Sequence, residues 1–263
     1  MNKLKIIVII ILGWGYMLMG SGLLLPWSAN SAASGGSAFI CHESGAIFSY
    51  PALTGKGIEF SSTLLYNLPE LPYYVFAAGT SYRKINLGYA LAHLHHPNYK
   101  ESNQVLNLSY CTGELQFGIN LRNLLIQIPA ETMASAFTID LGMAWQYSQI
   151  NTAISWLNAA ASEIDDERLP VYVIWEMSWQ IVPAGDLAVR IEKESGFEFH
   201  PAIAGEYTIS RTLRIISSYS MYPASIGSGF QITLGRFAVS YALQYHEDLL
   251  ESHYISLQYA PDN

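Results

Sequence analysis

Three groups of residues in this sequence have side chains able to do chemistry. The first is His93-Leu94-His95-His96. Two histidines at i and i+2 on a strand point the same way, and imidazole is a ready ligand for a transition metal. Glu101 is the one carboxylate near enough in sequence to support such a site. The run therefore reads as a polar loop, and no metal is assigned to it. The second group is scattered: Arg122, Asp140, Glu176, Arg190, Glu192, Glu206 and Arg214. The third is a pair of cysteines, Cys41 and Cys111. Serines and histidines such as His93, His200 and His246 are plentiful, yet the chain has no Gly-x-Ser-x-Gly motif to expose a nucleophile. The reading is non-enzymatic, with no catalytic residue and no cofactor.

The elements that must position these residues follow from a period of two. In Ser135–Asn158 the residues Ile139, Leu141, Met143 and Trp145 share one parity, and Thr138, Asp140, Gly142, Ala144 and Gln146 the other. After Tyr147-Ser148-Gln149 the pattern restarts, with Ile150, Thr152, Ile154 and Trp156 alternating with Asn151, Ala153 and Ser155. Alternation of this kind predicts a β-hairpin with one apolar and one polar face. The same pattern recurs from Gly57 to the end of the chain, for example at Leu115–Arg122, Tyr172–Gln180 and Phe237–Tyr245. It gives about fourteen strands, an even number. Their connections alternate between longer segments, such as Asn67–Pro72, His93–Ser102, Leu124–Ala134 and Asn158–Leu169, and tight turns such as Arg83-Lys84 and Gly235-Arg236. A membrane-spanning barrel has this asymmetry, with short turns on one side and longer loops on the other. The fold class expected is all-β, a transmembrane antiparallel β-barrel with its apolar parity toward lipid.

Composition points the same way. The chain is 51% apolar but only 13% charged, where a soluble domain carries roughly 25% charged residues. A net charge of -8 without a basic cluster excludes a nucleic-acid partner. Met1-Asn2-Lys3-Leu4-Lys5, an apolar run from Ile6 to Met19 and the small residues Gly20-Ser21-Gly22 have the layout of a secretory signal. The alternative is an uncleaved anchor, its apolar run read on to Leu25. The division expected is 1–22 signal peptide, 23–56 plug or hatch, and 57–263 barrel. Residues 23–56 are rich in Gly, Ala and Ser without sustained period, and read as a helix and turns inside the barrel or as a flexible lead-in. Gly35, Gly36, Pro51 and Ala52 are its candidate plug positions.

The scattered charges all fall on the polar parity, so they line the lumen. Mutually paired charges that stiffen the interior, or a selectivity filter or ligand cradle, both fit that placement. Buried charges need partners in either case. Arg122 or Arg190 is the expected partner of Asp140. Cys111 lies on the lumen parity and Cys41 in the preceding segment. A disulfide between them suits an oxidising periplasm if that segment plugs the lumen, and two free thiols are the alternative.

The residues also carry a family resemblance. Leu23–Phe39, then Ile47-Phe48-Ser49-Tyr50-Pro51-Ala52-Leu53, then the hairpin with Phe137–Gly142 and Ser155-Trp156-Leu157-Asn158, resemble the PorV/PorQ-like outer-membrane proteins, a branch of the FadL-type barrels. Gly205-Glu206-Tyr207 and His253–Leu257 add to the likeness. Tyr50 stands where the family has Asn before Pro-Ala, and the acidic pair usual upstream is reduced to His42-Glu43. The resemblance implies a fourteen-strand barrel with an N-terminal plug in a Gram-negative outer membrane, in contact with its lipid. It implies a role in protein export or surface attachment, with exported proteins or secretion machinery as partners. The alternative is a FadL-like channel for uptake of hydrophobic small molecules.

Overall fold

A computed structural model of the chain describes residues 24–128, 133–165, 167–247 and 249–261. The expected signal peptide, residues 1–22, lies outside the described residues, as does part of the loop 128–133.

Fourteen strands close into one antiparallel barrel. They are β1 (Gly57–Leu64), β2 (Pro72–Tyr82), β3 (Ile85–His96), β4 (Tyr99–Thr112), β5 (Leu115–Gln127), β6 (Ala134–Tyr147) and β7 (Ile150–Leu157). The second half comprises β8 (Tyr172–Val182), β9 (Gly185–Glu194), β10 (Phe199–Thr208), β11 (Leu213–Ser220), β12 (Ser225–Leu234), β13 (Phe237–His246) and β14 (Ser252–Tyr259). Every strand pairs with its neighbours in sequence, and β1 closes on β14 from Ile58↔Tyr259 to Leu64↔His253. Closure leaves no unpaired edge, which is what backbone in lipid requires.

The alternation read from the sequence is the alternation of the wall. Ile58, Phe60, Leu106, Leu108, Ile119, Leu121, Ile139 and Leu141 point out and are exposed. Glu59, Ser61, Asn107, Asn120, Arg122, Thr138 and Asp140 point in and are buried. A continuous apolar outer surface of this size is the lipid-facing wall of a spanning barrel. No helix among the described residues is long and apolar enough to cross a membrane. Trp145 and Trp156 face outward, as their parity requires. Trp145 sits near the β6–β7 turn, stacked on Tyr147 with ring centroids 5.7 Å apart, and its Nε1 donates to Glu114 at 3.1 Å. An aromatic with one polar tip suits the membrane–water boundary.

Two connections differ from expectation. The segment His93–Ser102 is no long loop: β3 runs to His96 and β4 starts at Tyr99, so the turn is only Pro97-Asn98. Polar residues there continue the ladder, with His93↔Ser102 and His96↔Tyr99 in register, because cross-strand hydrogen bonding is indifferent to side-chain polarity. The connection after β7 carries a small hairpin of its own, Glu163–Ile164 with Glu167–Arg168. The longer loops and both of these connections stand at one end, and the tight turns stand at the other with the start of β1 and the end of β14.

Residues 24–56 take the first of the two expected forms. They fold into helix α1 (Ala29–Ala33), helix α2 (Ala38–Cys41) and a 3-10 turn (Ser44–Phe48), all buried within the barrel. Inward alanines at 77, 90, 92, 144, 153, 188, 204 and 242 leave room for them.

Because Leu141 points outward partway along β6, Leu141→Arg should lower unfolding free energy in a bilayer by about 2–4 kcal/mol, whereas Thr112→Arg at a strand end should cost about 0–1 kcal/mol. Urea titration in vesicles, read by heat-modifiable gel mobility, checks this. Equal costs at the two positions would contradict the assignment of the outer face.

Candidate functional site

Helices of five and four residues do not persist alone in water, because the first turn is costly to nucleate. Here they are held at both levels. Ser28 Oγ accepts from Ser31 N at 2.8 Å and Ser37 Oγ from Ile40 N at 3.3 Å, so each helix has a serine N-cap. Gly35 and Gly36, with φ of +61° and +81°, turn the chain between them, and Gly36 N donates back to Ser31 O at 2.8 Å.

Eight further backbone groups of the segment bond wall side chains. Arg214 Nη1 donates to Ile40 O at 3.0 Å, Asn120 Nδ2 to Ile47 O at 2.7 Å, Arg122 Nη2 to Phe48 O at 2.6 Å, and Asn107 Nδ2 to Pro51 O at 2.8 Å. In the other sense, Ala29 N donates to Ser256 Oγ at 2.8 Å, and Ala38 N and Phe39 N both donate to Glu176 at 3.1 Å. Gly45 N donates to Glu59 Oε2 at 3.1 Å. Pro51 and Ala52 press against two wall glycines. A Cβ at Gly118 would fall 1.9 Å from Pro51 O, and one at Gly142 would fall 2.9 Å from Ala52 N.

All seven charged residues read as lumen-lining face inward, and they divide by task. Arg122 and Asp140, both 0% exposed, pair at 2.7 Å. Arg122 also donates to Asn103 at 3.1 Å, and Asp140 accepts from Asn158 N at 2.9 Å. Arg190 pairs with Glu192 at 2.5 Å and Arg214 with Glu206 at 2.7 Å. Of the two partners expected for Asp140, the structure selects Arg122. Glu176 pairs with no arginine. Its carboxylate takes Ser37 Oγ at 2.5 Å and the two N–H groups of α2, and so caps that helix from the wall. Tyr50 joins the sets: Arg190 Nε donates to its hydroxyl oxygen at 3.1 Å, and the hydroxyl bonds Glu176.

Sequence reasoning passed over Glu43, Glu59, Asn107 and Asn120 as site residues. The last three share the inward parity of residues that were singled out, so parity alone could have found them. Glu43 accepts from Trp27 Nε1 at 3.2 Å, Asn30 Nδ2 at 2.7 Å, Gln258 Nε2 at 2.6 Å and Ser28 Oγ. Its carboxyl also lies against that of Glu59, whose Oε1 has no donor.

Cys41 and Cys111 are both free, so the bridge does not form. Cys41 Sγ instead lies 3.0 Å from Ser34 Oγ, and Cys111 Sγ accepts from Asn86 Nδ2 at 3.2 Å. His93 Nδ1 is 2.8 Å from Ser102 Oγ, and the His93 and His95 rings lie 6.1 Å apart on the outer face. No group of three or more His, Cys, Asp or Glu able to hold a metal occurs among the described residues.

The inner segment separates two cavities. One, of about 180 Å³, opens at the tight-turn end between Phe39, Leu53, Thr54, Gln116 and Gln146. The other, of about 210 Å³, opens at the loop end and is lined by Leu24, Trp27, Tyr66, Arg190, Tyr222 and Gln244 among others. Tyr66 there packs edge-on against His246 at 5.5 Å, and burial pushes its phenol above the ordinary tyrosine range, so it stays protonated. The arrangement is a barrel lumen occupied in its middle by the inner segment, with a small cavity on either side.

No family profile matches the chain, and no curated protein matches it by sequence. Solved structures do match its fold. The toluene transporter TodX of P. putida superposes with a TM-score of 0.66 at 10% identity, covering 94% of this chain and 100% of that one. The monoaromatic hydrocarbon channel CymD gives 0.63 at 9% identity over 91% and 99%. A Pseudomonas aeruginosa FadL homologue gives 0.60 at 8% identity over 90% and 98%. At these identities the likeness establishes a FadL-type barrel fold.

Removing one partner of the buried Arg122–Asp140 pair should cost about 3–5 kcal/mol. In a Cys111→Ser background, Cys41 should react slowly with a maleimide, and Arg122→Ala should speed that reaction strongly. Glu59→Gln, which places an N–H donor beside Glu43, should leave the rate unchanged. Rapid labelling of Cys41 in the parent protein would contradict the held segment.

Proposed function

We propose that the chain is an outer-membrane conduit of the FadL type for hydrophobic small molecules, with residues 24–56 as a hatch that must shift to let them pass. One observation carries this reading: among the described residues the N-terminal segment occupies the lumen, with a cavity on each side of it. A barrel serving only as a membrane anchor has no need of a second cavity behind its plug. The bonds that hold the hatch come from many side chains singly, each worth about 0.5–1.5 kcal/mol net, or about 1.5–3 kcal/mol where a charge takes part. Such bonds can be exchanged a few at a time.

The solved structures of like fold are described as a toluene transporter and hydrocarbon channels, which supports uptake over export. Protein export or surface attachment rests on the sequence resemblance. We read the protein as non-enzymatic, because the lumen charges are engaged with one another and with the hatch. The leader at residues 1–22 fits delivery to a Gram-negative outer membrane.

Thr54 Oγ1 donates to Asn107 Oδ1 at 2.5 Å, so cysteines at these two positions are placed to join hatch and wall. In Gram-negative cells carrying Thr54→Cys and Asn107→Cys, with both native cysteines replaced by serine, labelled toluene uptake should exceed that of empty-vector cells under reducing conditions. It should fall to the empty-vector level on oxidation and return with reductant. No uptake above empty vector in the parent protein would overturn the conduit. Equal uptake by oxidised and reduced forms would overturn the moving hatch.

A further inference from the structure

The lining of the loop-end cavity says more about its ligand than the fold does. Its volume of about 210 Å³ has room for a small ligand rather than a single water, which needs only about 10–15 Å³ on the same measure. Leu24, Leu25, Tyr66 and Tyr222 give it an apolar side. A pure hydrocarbon would ask for nothing else. Strands β9, β10 and β13, however, bring Arg190, Glu192, His200 and Gln244 to the same space.

Two of these groups have donors to spare. Arg190 uses Nε on Tyr50 and Nη2 on Glu192, and among the described residues none accepts from Nη1. Gln244 accepts from Tyr254 through Oε1 at 3.1 Å, and among the described residues none accepts from its Nε2. Guanidinium and amide nitrogens only donate, so the ligand that satisfies them must bring an acceptor. Charge then narrows the class. Arg190 is already neutralised by Glu192, and Glu176 lies behind Tyr50. An anionic ligand would have to compete with Glu192 for one cation and stand beside its charge, with its own desolvation unrepaid. A cationic ligand would have to displace Arg190 from Glu192.

We propose that this cavity is a binding site for small neutral amphiphiles: a ring or short alkyl body with an uncharged acceptor such as a ketone, ester or ether oxygen. The inference rests on the conduit reading and names the substrate class it admits. A hydrogen bond of about 1.4 kcal/mol corresponds to a tenfold preference.

The test is equilibrium binding to the purified full chain in detergent at pH 8, using ring compounds of one size: acetophenone, cumene, benzoate and benzamidine. Acetophenone should bind about tenfold more tightly than each of the other three. Gln244→Leu and Gln149→Leu, the latter in an exposed turn at the opposite end, are made separately. Gln244→Leu should reduce the preference over cumene to less than about threefold while leaving cumene affinity in place, and Gln149→Leu should leave the preference intact. Cumene binding as tightly as acetophenone would overturn the proposal in favour of a hydrocarbon site. Tighter benzoate or benzamidine would overturn the neutral class. An undiminished preference in Gln244→Leu would place the acceptor contact elsewhere and overturn the assignment of this cavity. Binding and uptake fail separately. Selective binding without cellular uptake would sink the conduit and leave the site, and uptake without selectivity would do the reverse.

Discussion

A peptide segment inside a membrane-spanning barrel has its backbone away from bulk water, and every N–H and C=O left unpaired there costs free energy. The rest of this structure depends on how that demand is met. The strands satisfy themselves by closing β1 on β14. The segment from Trp27 to Thr54 cannot, because its helices are too short to pair most of their own groups. Its carbonyls and amides go instead to Asn107, Asn120, Arg122, Glu176, Arg214 and Ser256 on the wall. The polar inner face is therefore the other half of the segment's hydrogen-bonding.

This explains why the interior combines charges with alanine and glycine. Small side chains at Ala77, Ala144, Ala242 and Gly118 admit a second layer of chain, and long polar ones between them reach its backbone. The ion pairs are secondary to that task. Arg122 through Nη2 and Arg214 through Nη1 each donate both to an acid of the wall and to a segment carbonyl, so neutralising the charge also aims the donor. A closure built from many such side chains is specific in position, and Trp27, Phe39, Ile47 and Phe48 add apolar packing against the wall.

The period of two made the barrel, the strand number and the inward set legible, because the pleat imposes it wherever two faces differ in solvent. Asp140 and Arg122 could be placed in the lumen before their distance was known. Several features were not legible. His93 to His96 looked like a loop because its residues are polar, and polarity marks exit from lipid rather than the end of a strand. The fate of Cys41 depended on where α2 ends, which no local signal fixes. Glu43 lies in a segment without period, so nothing marked it as the acceptor for Trp27, Asn30 and Gln258. Pairing among inward residues depends on register across strands, and composition does not carry it.

The central claim is that residues 27–54 form a closure bonded to the barrel wall. Amide hydrogen exchange of the wild-type protein in lipid nanodiscs, read by mass spectrometry on peptides covering 27–54 and β5–β6, tests it most directly. The account predicts that Ala38, Phe39 and Gly45, whose amides donate to wall carboxylates, exchange far more slowly than the exposed turn Ser148-Gln149, with protection approaching that of the β5–β6 ladder. Exchange of the whole segment as fast as that turn would contradict it.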